Sequence, residues 1–89
     1  MFRLDWIQSA LEELTNNWLR ADSVLRQAIT RAIDEIEMCL LRNPHGEGES
    51  RSNGQRITFV PPLAITFRVE ADGETVTVLQ ARLFLPHGR

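Results

Sequence analysis

The stretch that decides the fold runs from Gln55 to Leu85 and reads QRITFVPPLAITFRVEADGETVTVLQARLFL. Two segments in it alternate with the two-residue period of a half-buried strand. Over Gln55–Val60, Ile57 and Phe59 alternate with Arg56, Thr58 and Val60. Over Leu63–Glu70, Leu63, Ile65, Phe67 and Val69 alternate with Ala64, Thr66, Arg68 and Glu70. Pro61-Pro62 cannot donate to a ladder and marks a tight bend or an edge between them. Asp72-Gly73 is a hairpin-turn dipeptide, which predicts antiparallel pairing of 63–70 with a third strand over 75–85. That last strand is apolar on both parities, as expected of a central strand or of a bulge near Leu79 that switches faces. An antiparallel three-stranded meander follows.

Upstream of the meander the period changes from two to that of a helix. In the second helix Leu25, Ala28, Ile29, Ala32, Ile33, Ile36 and Leu40 form one apolar stripe, with Asp22 or Ser23 as its N-cap and Asn43-Pro44 as its stop. Before it, Ile7, Ala10, Leu11, Leu14 and Trp18 step by three and four across a shorter amphipathic helix. The opening MFRLDW places Phe2, Leu4 and Trp6 on one side of a short strand. Residues 44–54, PHGEGESRSNG, read as a loop; GEGES lacks the lysine and the strand-to-helix setting of a phosphate-binding loop. Helices grouped before strands predict an α+β fold, in which a short N-terminal strand and an antiparallel helical hairpin pack on one face of a small antiparallel sheet.

Composition bounds the rest. Eighty-nine residues, 43% hydrophobic and 25% charged, make a single folded domain over 1–89. One cysteine, Cys39, excludes an intramolecular disulfide and favours a reducing cytoplasm; it reads as a small core residue, with Met38 beside it at the helix contact. No apolar run reaches membrane-span length, and no metal-ligand or cofactor motif is present, so no cofactor and no metal are expected. The net charge of -2 argues against nonspecific nucleic-acid binding and leaves room for a local basic patch. All ten cationic residues are arginines; there is no lysine and no tyrosine. A GC-rich genome accounts for that bias, and so does a need for guanidiniums facing phosphate.

Covering one sheet face leaves the other open, and the alternation assigns to it Arg56, Thr58, Thr66, Arg68, Gln80 and Arg82, with Arg51 in the loop ahead. Two readings of this face stand: a solvated surface whose arginines pair with Glu70 or Glu74, and an anion site for an RNA backbone. In the second, guanidiniums hold the phosphate while a ribose 2′-OH attacks it, and His87 or His45 is the group able to move a proton near neutrality.

Taken in order, several pieces together resemble the RelE/ParE superfamily of type II toxin–antitoxin toxins, also called plasmid stabilisation proteins. They are the tryptophan-ended helix LEELTNNWL, the helix closing at Asn43-Pro44, GESR at 48–51, QRITFV, PPLAITFRV and ETVTVL. The resemblance implies a cognate antitoxin whose extended segment wraps the toxin. It also implies one of two activities: metal-independent cleavage of messenger RNA on the ribosome, or poisoning of DNA gyrase. A non-catalytic interaction module with the same fold is the third reading. Carried onto this chain, the resemblance makes Arg56, Arg82 and His87 the catalytic candidates and Arg51 and Arg68 the RNA-phosphate contacts. The chain departs from the family at the basic residue early on the second meander strand, which falls on Leu63 or Ala64, at the terminal tyrosine, and at the final helix. Val60, Leu83, Phe84 and Leu85 are the apolar residues expected to meet a partner, or another copy if the chain self-associates.

Overall fold

The computed structural model describes residues 2–84; Leu85, His87 and the rest of 85–89 lie outside the described residues. Strand β1 (Arg3–Trp6) leads into helix α1 (Gln8–Arg20) and helix α2 (Ser23–Arg42). A single 3-10 turn over Pro44–Gly46 and the short strand β2 (Glu49–Ser50) follow, then β3 (Gln55–Val60), β4 (Leu63–Val69) and β5 (Thr75–Leu83). The five strands form one sheet in the order β1-β5-β4-β3-β2.

Local chemistry explains the helix ends. Asp22 caps α2, its carboxylate accepting from the Leu25 N–H at 2.8 Å. At the other end the Asn43 N–H closes on the Cys39 carbonyl, and Pro44 cannot continue the ladder. Arg26 of α2 finishes α1: its guanidinium donates to the Trp18 and Leu19 carbonyls, both at 2.9 Å, and stacks 4.4 Å from the Trp18 ring centre. One side chain thus satisfies the Leu19 carbonyl and joins the Ala21 N–H on the Trp18 carbonyl, at the negative end of a helix dipole. The α2 stripe is buried at Ile29, Ala32, Ile36 and Leu40, against Leu63, Ile65, Phe67, Val76, Val78 and Ala81 of the sheet. Phe2, Leu4 and Trp6 pack onto the same core, as the alternation of the opening residues predicts. Met38, expected at the helix contact, is exposed, and Cys39 is half-buried.

Strand β5 is central, which explains its two-sided apolar pattern. β4 pairs with it antiparallel on one side and β1 parallel on the other, with Leu4 opposite Val76 and Trp6 opposite Val78. Thr66 faces Gln80 but Phe67 faces Val78, so Leu79 is the extra residue of a bulge and the inward parity passes from Val78 to Ala81. Beyond Trp6 the flank of β5 is bare, and α1 covers it there: the Glu13 carboxylate accepts from the Ala81 N–H at 3.1 Å. The Asp-Gly turn is organised by Asp72, whose carboxylate accepts from the Glu74 and Thr75 N–H groups and the Thr75 hydroxyl, with Gly73 at φ +72.

Strand β3 differs from the sequence reading in which face its residues occupy. Pro61-Pro62 forms a two-residue connection, so Val60 lies opposite Leu63, Thr58 opposite Ile65, and Arg56 opposite Phe67. Directly opposed residues share a face. Val60, Thr58 and Arg56 therefore lie on the helix side, and Ile57 and Phe59 on the open side. Thr58 is 8% exposed and Phe59 51%. The loop before β3 also differs: residues 49–57 make a hairpin, with Glu49 opposite Ile57 and Ser50 opposite Arg56. Its turn places Asn53 (φ 64, ψ 27) and Gly54 (φ 72) in left-handed backbone and returns the Gln55 N–H to the Ser52 carbonyl, the signs of a type I′ turn.

Candidate anion-binding cleft

The described candidates do not form one arginine face. Arg56 is on the helix side of β3; Arg68 and Arg82 are on the open side, opposite Thr77 and Ala64. Four residues of β4 separate those two registers, about 13 Å along a strand. Arg68 is occupied by Glu70, at 3.3 Å, and Glu70 also accepts from the Thr77 hydroxyl. Those bonds, Thr77's first, hold the Glu70 carboxyl below the usual carboxylate range. Asp72 is lowered likewise, chiefly by the Glu74 and Thr75 N–H groups. Arg82 is exposed, and among the described residues no side-chain hydrogen bond or ion pair holds it. Its neighbours on that face are apolar: Phe59 and Phe84 meet edge-on at 5.8 Å, half exposed. Val60 and Leu83, expected at a partner surface, pack against the core instead.

What the fold does bring together lies at the other end of β3. His45, Ser50, Arg51, Gly54, Gln55, Arg56 and Val69 line a cleft of about 270 Å³. The C-terminus of α2 and the turn after it supply His45, whose ring meets Phe2 edge-on at 6.0 Å. The β2–β3 hairpin supplies the rest. Arg56 anchors the wall: its Nε donates to the Glu47 carbonyl at 2.9 Å, and its two terminal nitrogens to Ser50 Oγ at 2.8 Å and the Gly48 carbonyl at 3.1 Å. A guanidinium has five N–H donors, so two remain for a ligand. Arg51 makes only a loose 3.8 Å pair with Glu49, both side chains more than half exposed, a contact that solvent largely screens. Two guanidiniums and an imidazole around a small concavity can bind an oxyanion and exchange a proton with it.

Gly48 is what lets the wall close. Its φ is +70, and a Cβ there would sit 2.1 Å from the Ile57 carbonyl oxygen, so only glycine fits against β3. Burial raises the Cys39 thiol above its ordinary value, with Glu47 and Glu35 adding to it, which favours the protonated thiol. His87 lies outside the described residues. No group of three His, Cys, Asp or Glu side chains is placed to share a metal ion among the described residues, and no helix there is long and apolar enough to cross a membrane.

No protein-family model matches the chain, and no curated protein matches it in sequence. Solved structures match over nearly its whole length. A chain of a chromosomal ParDE TA system from P. aeruginosa superposes with a TM-score of 0.75 at 19% identity, covering 96% of this chain and 98% of that one. The chain has the RelE/ParE toxin fold. A chain of the RelBE2 toxin–antitoxin complex from Mycobacterium tuberculosis gives 0.72 at 14% identity, covering 92% and 90%. The YoeB/ParE toxin from Agrobacterium tumefaciens gives 0.68 at 20% identity, covering 94% and 100%. In the RelE/ParE fold of this chain the cationic cleft lies where the C-terminal end of the second helix meets the β2–β3 hairpin.

Proposed function

We propose that this chain is the toxin of a type II toxin–antitoxin pair, held inactive by a cognate antitoxin in the cytoplasm, and that it cleaves messenger RNA on the ribosome. The single observation that carries the reading is the convergence of Arg51, Arg56 and His45 on one small cleft. The three side chains match what phosphodiester cleavage asks of a protein. Arg51 and the two spare donors of Arg56 hold the scissile phosphate and offset the charge that grows on it as the 2′-oxygen attacks. His45 is placed to take or return a proton. Arg68 and Arg82 do not line this cleft; Arg82 suits contact with a larger target surface or with acidic side chains of the antitoxin.

Expression in growing cells tests the reading. Growth arrest with codon-spaced cuts in translated messages, relieved by His45→Ala or Arg51→Ala and by co-expression of the protein encoded beside it, is the expected result. Unaffected growth with intact transcripts would sink it. Likeness to a chain of a ParDE TA system favours one second reading, a gyrase-directed poison that needs no proton transfer. Induction of DNA-damage signalling with intact messages would select it.

A further inference from the structure

The turn that closes the cleft-forming hairpin carries a second chemistry. We infer that Asn53 is a site of spontaneous deamidation, gated by opening of the β2–β3 hairpin, which converts a neutral turn residue beside the cationic cleft into an anion. Of the four asparagines only Asn53 precedes a glycine: Asn16 precedes Asn17, Asn17 precedes Trp18, and Asn43 precedes Pro44, which has no N–H to give up. Both Asn53 and Gly54 are exposed, and nothing lies within 4 Å of the space a Gly54 side chain would take.

The reaction uses only the chain and water. The Gly54 backbone nitrogen attacks Asn53 Cγ and gives up its proton. The bond from Cγ to the side-chain nitrogen breaks, and ammonia leaves with that proton. One water then opens the five-membered imide at either carbonyl, leaving aspartate or isoaspartate. In the folded turn Asn53 has ψ of 27°, which puts the Gly54 nitrogen on the far side of the Cα–C bond from the side chain. Ring closure therefore waits for the turn to open. Opening is local, because β2 contributes only Glu49 and Ser50, both exposed, to the pairing.

The consequence falls on the cleft, since Gly54, Gln55 and Arg51 line it. A new carboxylate two residues along the hairpin from Arg51 adds negative charge beside the cleft, and isoaspartate also adds a backbone atom to the turn. An added charge about 8 Å from a bound anion weakens its binding about two-fold in water. This effect rests on the proposed function of the cleft; the modification itself does not.

The purified chain and an Asn53→Gly variant, whose Gly-Gly pair still suits a type I′ turn, are incubated at pH 8 and 37 °C beside a free peptide of residues 49–57. Peptide mapping follows the mass of the segment, and titration with inorganic phosphate follows the cleft. Expected are a gain of one mass unit at residue 53 in the wild type, slower than in the free peptide, and weaker phosphate binding by the aged wild type while the aged variant is unchanged. A wild-type segment still unaltered when the peptide has converted completely would overturn the inference. So would conversion as fast as the peptide's, which would remove the hairpin gate, or unchanged phosphate affinity after conversion. Failure of fresh wild type and fresh variant alike to bind phosphate would overturn the cleft reading, and the mass result would then decide the modification alone.

Discussion

Gly48→Ala is the substitution whose cost the geometry defines best. At φ +70 an L-residue costs about 1 kcal/mol by itself. The added methyl would stand 2.1 Å from the Ile57 carbonyl oxygen and 2.7 Å from its carbon, against backbone that no rotamer change can move aside. Relief requires β2 to leave β3, which breaks its pairing and the bonds Arg56 makes to Glu47, Gly48 and Ser50, each worth about 1 kcal/mol net. The sum is about 4 to 5 kcal/mol. Gly73→Ala is the matched control: φ is +72 and nothing lies within 4 Å, so only the conformational cost of about 1 kcal/mol remains. For a domain of this size 1 kcal/mol shifts Tm by about 4–8 °C. Thermal unfolding should therefore place Gly73→Ala about 5 °C below wild type and Gly48→Ala about 20–25 °C below. Hydrogen exchange should show the loss concentrated at the Arg51 amide, which bonds the Gln55 carbonyl. Equal effects of the two substitutions would refute the claim that Gly48 is a packing requirement.

Other outcomes follow from single contacts. Arg26→Ala removes two bonds to the carbonyls ending α1 and the stack on Trp18, and should cost about 1–2 kcal/mol in chemical denaturation; Arg26→Lys, without the planar fork, should recover only part. Acid should weaken the β4–β5 end of the sheet. The Glu70 and Asp72 carboxyls are held lower in the folded chain than in the unfolded one, so their contribution is fully present above the ordinary carboxylate range and is lost as pH falls below it. Tm should accordingly be flat from pH 7 to about 5 and decline below about 4, less steeply in an Asp72→Asn, Glu70→Gln double variant.

Much of this was legible in the residues because several signals agreed on each element. The α2 stripe, the Asp22 cap and the Asn43-Pro44 stop define one helix, and the Asp-Gly turn sets the pairing of β4 with β5. The two-sided pattern of β5 anticipated both its central place and the bulge at Leu79. The parallel pairing of β1 with β5 carries no local signal, since it joins residues some seventy positions apart. The face of β3 was readable by another route. Alternation alone allows either side, and the two large residues Ile57 and Phe59 favour the wrong one. A two-residue connection at Pro61-Pro62 makes Val60 oppose Leu63 and settles it. The β2–β3 hairpin likewise had its signal in Asn53-Gly54, the dipeptide that favours type I′ turns. The face of β3 separates Arg56 from Arg68 and Arg82, and the β2–β3 hairpin brings Arg51 and Arg56 to one cleft with His45.

The cleft, and not the open sheet face, is the central claim, and mapping of transcript ends after induction tests it most directly. Wild type and Arg82→Ala should both cut translated messages at codon spacing, and Arg51→Ala should leave them intact while accumulating to the same level. Cutting by Arg51→Ala with none by Arg82→Ala would contradict the account and move the site to the opposite face of the sheet.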